Sequence, residues 1–308
     1  MSTSSSASPV TGHAYLDRVH DLPGSVLAMA HRGGARHLDL AGLENTRTAF
    51  AHAVDLGYSY LETDVHATRD GVLLAFHDDR LDRVTDSTGL VADLPASAVR
   101  AARVAGREPV PTLDELLESF PGVAFNIDIK ADAAVQPLVE TIAAHRAWDR
   151  VLVGSFGLGR LRRFRALAQG RVPTSAAPAE VAAFVSPTSP RALRRRVARH
   201  VAALQVPVAQ RVPVPGRTEH LPVVTERLVH RAHEVGVHVH VWTVDEPAEM
   251  AWLLGLGVDG LITDRTDVLR DTLTERGVWL GAASGPETQP VPQTQPETQP
   301  ETQHRSDS

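Results

Sequence analysis

Cysteine is absent from the 308 residues, so disulfides and thiolate metal centres are excluded. That absence does not identify a compartment. No apolar run approaches the ~20 residues that a bilayer-spanning helix needs. The opening stretch from Met1 to Pro9, mostly serine and threonine, has neither a basic start nor an apolar core. It does not read as a secretory signal, and a cytoplasmic location is expected. A basic excess is missing too: 31 lysines and arginines face 37 aspartates and glutamates, for a net charge of −6. From Ser284 onward Glu287, Glu297, Glu301 and Asp307 outweigh Arg305. The rest is close to neutral and gives no global support for nucleic-acid binding.

Hydrophobic residues make up 43% and charged residues 22%, ordinary values for a globular protein. Residues 284–308 are mostly Pro, Glu, Thr and Gln, with Glu-Thr-Gln recurring at 287, 297 and 301. Such a segment lacks the apolar area to offset its ordering entropy and is expected to be disordered. A partner-binding tail is the sharper alternative. Residues 1–24 form an N-terminal segment expected to be partly mobile. Between the ends, short apolar runs alternate with helical patterns. Strands are expected near 26–31, 60–65, 123–129, 151–154, 172–176, 202–206, 237–242 and 259–263. Helices are expected near 46–57, 112–119, 133–146, 158–168, 190–200, 224–235, 246–256 and 267–277. Strand-then-helix repeated eight times predicts an α/β fold, a (β/α)8 TIM barrel over residues 25–283. A doubly wound sheet is the competitor, weakened because His31-Arg32-Gly33-Gly34 lacks the spacing of a phosphate-binding glycine loop.

The densest chemistry lies in Leu61-Glu62-Thr63-Asp64-Val65-His66, followed by Asp70-Gly71 and Ala75-Phe76-His77-Asp78. Residues i and i+2 of a strand share a face, so Glu62, Asp64 and His66 point one way. Asp-Gly then turns the chain into a second apolar strand, Val72 to Phe76. Two carboxylates on one buried face repel each other and lose hydration. A hard divalent cation is the simplest neutralising partner. Upstream, the run Ser25 to Ala30 ends in His31-Arg32-Gly33-Gly34, and a loop closes at Glu44-Asn45-Thr46. That puts a proton carrier and an anion-binding fork at a strand's carboxyl end. Together these groups suggest metal-assisted chemistry on a phosphate ester.

His31-Arg32-Gly33, Glu44-Asn45-Thr46, Glu62-x-Asp64, Asp70-Gly71 and His77-Asp78 resemble the glycerophosphodiester phosphodiesterases. The likeness continues through Leu81-Asp82-Arg83-Val84-Thr85, Val110-Pro111-Thr112-Leu113 and Asn126-Ile127-Asp128-Ile129-Lys130. Gly154-Ser155-Phe156, Val241 to Asp245 and Gly257 to Asp264 complete a collinear set over roughly residues 25–275. The resemblance implies a barrel with a small insertion after the second strand, about 78–111, that shapes substrate choice. It implies hydrolysis of a glycerophosphodiester to sn-glycerol 3-phosphate and an alcohol. His31 and His77 take the two catalytic positions, and Glu62, Asp64 and Asp128 the metal-ligand positions. Arg32 and Lys130 clamp the phosphate, and Trp242 walls the glycerol or alcohol group. Glu44 orients Arg32 or touches the metal, and Asn45 fixes the loop. All-oxygen ligation favours one Ca²⁺ or Mg²⁺, with Mn²⁺ a further candidate.

Each reading has a bland counterpart. The two histidines could be structural, the carboxylates a metal-free salt-bridge cluster, Lys130 an ion partner of Asp128, and Trp242 a core residue. Many relatives carry glutamate where Asp128 stands, which bears on metal preference. His66 stays outside the catalytic set because it could sit beneath the site as a packing residue. The basic faces Arg160 to Arg165 and Arg191 to Arg199 are ordinarily solvated, with weak contact to an anionic membrane surface as the alternative. The expected partner is a small glycerophosphodiester. Rival substrates are lysophospholipids or glycerol-phosphate polymers, and the rival class is a catalytically silent barrel that binds phosphate esters.

Overall fold

A computed structural model describes residues 8–22, 24, 26–214 and 217–279. The chain enters through α1 (Ala14–Asp17) and β1 (Leu27–His31), then α2 (Arg47–Asp55), β2 (Tyr60–Ala67) and β3 (Leu73–Ala75). After α3 (Ala96–Ala101) come β4 (Arg103–Val104), β5 (Glu108–Pro109), α4 (Leu113–Ser119), β6 (Ala124–Ile129), α5 (Val135–Ala144) and β7 (Val151–Gly154). Three helices follow, α6 (Leu158–Ala168), α7 (Pro178–Val185) and α8 (Arg191–Ala198). The remainder is β8 (Ala203–Pro207), β9 (Ala209–Val214), β10 (Arg217–Pro222), α9 (Glu226–His233), β11 (His238–Trp242), α10 (Pro247–Gly255), β12 (Gly260–Thr263) and α11 (Thr266–Glu275).

Parallel pairing runs β7-β6-β2-β1-β12-β11-β8. The two ends are joined by Thr174, which bridges Val153, and Ser175, which bridges Ala203. The sheet therefore curls into the expected (β/α)8 barrel. The expected strand at 172–176 contracts to these bridges. Pro173 offers no N–H to a ladder, and its carbonyl accepts from Val153. Helix starts follow local chemistry: Thr46 Oγ1 accepts from Ala49 N at 3.2 Å to cap α2, and Thr112 with Glu115 forms a capping box on α4. Besides the short elements α1, α3, β4 and β5, a helix and a strand pair were not anticipated. Helix α7 begins at Pro178 with Glu180 accepting from Ala177 N at 2.9 Å, a proline-first start legible after the fact. Strands β9 and β10 pair antiparallel beyond β8.

Strand alternation and register stack the barrel interior in tiers. Leu27, Tyr60, Ala124, Leu152 and His238 lie lowest, and Met29, Glu62, Asn126, Gln205 and His240 sit above them. His31, Asp64, Asp128 and Trp242 then reach the carboxyl ends. Gly260 makes room in the middle tier, since a Cβ there would lie 2.9 Å from His240 and 3.0 Å from Met29. Residues Tyr15, Leu16 and Val19 close the bottom, buried against Leu27, Tyr60 and Ala203. Tyr60 OH donates to the Tyr15 carbonyl at 2.7 Å, and His238 Nε2 donates to the Pro9 carbonyl at 2.8 Å. From residue 8 onward the N-terminal segment is thus tied to the barrel. Between β3 and α4 the chain builds its own apolar cluster from Phe76, Leu81, Val91, Val99, Val104 and Val110. The tail expected to be disordered, 284–308, lies outside the described residues.

Candidate active site

A cavity of about 440 Å³ opens at the carboxyl ends of the strands and takes in His31, Arg32, Glu62, Asp64, His77, Asp128, Lys130 and Trp242. Eight of the ten residues expected at the site therefore line one cavity. The other two, Glu44 and Asn45, stand behind Arg32 and Asp64. Glu44 Oε1 accepts from Arg32 Nη1 at 3.2 Å. Asn45 donates to Asp64 Oδ2 at 3.4 Å and accepts from Thr63 Oγ1 at 2.8 Å.

The loop after β1 is shaped by backbone that few residues tolerate. Arg32 and Asn45 have positive φ, 49° and 57°, and Gly33 and Gly34 follow at 86° and 85°. A Cβ on Gly33 would lie 2.7 Å from Ala49, and one on Gly34 2.5 Å from Thr266. The pair of glycines is the condition for packing the turn against α2 and α11. Positive φ in a non-glycine residue stores strain that surrounding contacts must over-determine. Here Arg32 N donates to the Glu62 backbone and side chain, at 2.9 and 3.2 Å.

Both histidines are oriented through Nδ1. His31 Nδ1 donates to Asp264 Oδ1 at 2.8 Å, and His77 Nδ1 donates to Asp78 Oδ1 at 2.6 Å. Neither bond uses Nε2, and that of His31 lies 3.8 Å from Glu62 Oε2. Burial works against the imidazolium of His31, yet Glu62 and Asp264 outweigh it and raise its pKa. His66 is buried, and its Nε2 donates to the His77 carbonyl at 3.1 Å. That bond ties β2 to the segment carrying His77.

Charge in the site is closely balanced. Lys130 Nζ lies 2.8 Å from Asp64 Oδ1 and 2.7 Å from Asp128 Oδ2, and Arg32 Nε lies 3.0 Å from Asp64 Oδ2. Burial opposes the charge on Asp64, but Lys130 and Arg32 hold its pKa below the usual carboxylate range. Glu62 has no such clamp. Burial, then the charge of Asp64, pushes its pKa up, and burial does the same for Asp128. The donor set fits a hard divalent cation: three carboxylates on adjacent strands, together with a sealed Asn126 Oδ1 that has no hydrogen-bond partner. Among the described residues, however, the trio whose ligand atoms all lie within 4.8 Å of one another is a different one, His37, Asp39 and His52.

Several site residues carried no role in the sequence reading. Asp78 and Asp264 were visible only as motif neighbours, although they hold the two imidazoles. Arg83 forks onto Asp78, at 2.5 and 3.0 Å, and onto Glu44, at 2.9 and 2.7 Å. The apolar far wall comes from α7 and from Phe156, which lies edge-on to Trp242 at 5.9 Å. Of the basic faces, Arg160, Arg165 and Arg194 turn to Asp132, Glu180 and Glu234, while Arg162, Arg163, Arg195 and Arg196 are exposed.

Comparison with known proteins agrees with this geometry. The model of the glycerophosphoryl diester phosphodiesterase family matches residues 31–268. The probable glycerophosphodiester phosphodiesterase 2 of Mycobacterium tuberculosis is 42% identical over 262 residues, covering 84% of this chain and 95% of the relative. A putative glycerophosphoryl diester phosphodiesterase from Silicibacter pomeroyi superposes with a TM-score of 0.70 at 23% identity, over 87% of this chain and 99% of that one. A phosphodiesterase of Oleispira antarctica, solved with the product sn-glycerol-3-phosphate, gives 0.66 at 21% identity over 83% and 98%. At these identities the solved structures show a shared fold.

Proposed function

The chain belongs to the glycerophosphoryl diester phosphodiesterase family and is a phosphodiesterase, and from that premise we propose how its barrel mouth acts. The substrate is a glycerophosphodiester, and the products are sn-glycerol 3-phosphate and an alcohol. The observation that carries this reading is the convergence, in one cavity, of two carboxylate-held histidines with Arg32, Lys130 and three acidic side chains.

Arg32 and Lys130 offset the negative charge that grows on the phosphoryl oxygens. One histidine removes a proton from the attacking oxygen through Nε2. The other gives a proton to the departing alcohol oxygen as its bond to phosphorus breaks. The attacking oxygen is that of water, or the substrate's own 2-hydroxyl by way of a cyclic phosphate. Glu62, Asp64 and Asp128 would hold one divalent cation, Ca²⁺ or Mg²⁺ first and Mn²⁺ next, which when bound polarises a phosphoryl oxygen. Residues 78–111 form, on this reading, an inserted unit that starts next to His77 and brings Asp78 and Arg83 to it. A second reading, headgroup release from lysophospholipids, is favoured by the far wall. There Phe156 is 60% exposed and Val185 43% exposed beside Val181 and Trp242. Among the described residues, no helix is long and apolar enough to cross a membrane.

The test is choline release from glycerophosphocholine and from lysophosphatidylcholine, with excess chelator or with each cation, by the native chain and by His77→Ala. Cation-dependent release from glycerophosphocholine, lowered at least ~100-fold in kcat by His77→Ala, is expected. Full activity in chelator removes the cation, and near-normal turnover of the variant removes His77. Release from the lysolipid alone selects the second reading.

A further inference from the structure

The loop between β1 and α2 carries a second cluster that the catalytic cavity does not use. His37 and Asp39 stand on the loop and His52 on the facing side of α2, and none of them lines the cavity. One ligand atom from each lies within 4.8 Å of the other two. The imidazole rings of His37 and His52 are 4.3 Å apart and inclined at 58°. His52 Nε2 is sealed from solvent with no hydrogen-bond partner, an arrangement that costs stability unless something binds the nitrogen. His37 Nδ1 has only a long hydrogen bond from Asp39 N, 3.3 Å, with Asp39 Oδ2 at 3.8 Å. The Asp39 carboxylate is 78% exposed.

We propose that His37, Asp39 and His52 form a transition-metal site of the Zn²⁺ class, separate from the catalytic carboxylates. Two imidazole nitrogens with one carboxylate are a borderline-soft donor set, completed by water. The all-oxygen set of Glu62, Asp64 and Asp128 is hard and selects a different kind of ion. Occupancy would staple to α2 the loop that delivers Arg32, Glu44 and Asn45. The same loop reaches the catalytic histidine by another route. Arg36, next to His37, pairs with Asp245 at 3.0 Å and with Asp264 at 3.6 Å, and Asp264 holds His31.

Cobalt titration of the full chain, with excess Mg²⁺ present, reads this site directly. Co²⁺ bound by imidazoles at low coordination number absorbs strongly in the visible, whereas octahedral all-oxygen Co²⁺ absorbs weakly. One equivalent of the intense form is expected, bleached by Zn²⁺, retained in Asp64→Asn, and lost in both His52→Gln and His37→Gln. The His37 variant changes only a loop residue, so it decides the matter if His52→Gln fails to fold. Absence of intense bands in the native chain overturns the site. So does their survival in the histidine variants, or their loss in Asp64→Asn with retention in those variants.

Discussion

Lys130 is the only lysine in the chain; every other basic side chain except histidine is an arginine. Its position explains why the guanidinium does not serve there. A compact ammonium sits between Asp64 and Asp128 at 2.8 and 2.7 Å, a point contact that a wider planar fork does not reproduce. Burial pulls its pKa down, but the two carboxylates overcome that and raise it, so it stays charged. Lys130→Arg is therefore expected to lower kcat by at least ~10-fold while the fold persists. Steady-state kinetics beside a thermal melt decides, and native turnover with an intact melt would show that charge alone suffices. This residue also marks the reach of sequence reading. His31, His77, Glu62 and Asp64 were legible because strand alternation and short motifs place them locally. Asp264 was not given its role because it meets His31 across 233 positions, and no local pattern carries that pairing.

Two loops meet at the cavity mouth, and Arg83 fastens one to the other. Its guanidinium grips Asp78 on the segment after β3 and Glu44 on the loop after β1. Asp78 in turn holds His77, and Glu44 holds Arg32. The hydrogen bond from Arg83, helped by that from His77, brings the pKa of Asp78 down to about 2. Arg83 touches no reacting atom in the proposed chemistry and acts as a positioning residue. Arg83→Met should cut kcat about 10- to 100-fold with KM changed far less. Arg83→Lys should restore little, because one ammonium cannot fork onto two carboxylates. Native kcat in Arg83→Met would show that the loops hold without it. At this scale the barrel strands were legible from their apolar runs, with the closing segment at Thr174 and Ser175 the exception. Helix α7 and the β9–β10 pair were missed because alanine-, valine- and proline-rich stretches, Ala176 to Val185 and Val206 to Pro215, give weak periodicity.

The barrel as a whole separates a charged upper end from a lower interior that still contains titratable groups. His240 is fully buried in the middle tier, and Gln205 Nε2 donates to its Nδ1 at 3.4 Å. Desolvation, reinforced by His238 5.9 Å away, lowers its pKa to about 3. His238 is lowered as well, chiefly by burial. The linkage has a definite sign: between pH ~6.5 and ~3 the unfolded chain binds a proton at residue 240 that the native chain does not. Stability therefore falls as pH drops through that window, by up to about 1.4 kcal/mol per pH unit for this one group. His31, whose folded pKa is raised, works in the opposite direction, with stability present at low pH and lost as pH rises. The native profile mixes both, and a variant separates them. His240→Gln removes the titrating ring while keeping a polar partner for Gln205. Its denaturant midpoints should decline less steeply than those of the native chain from pH 7 to 4.5. Parallel profiles would mean that acid instability arises elsewhere in the molecule.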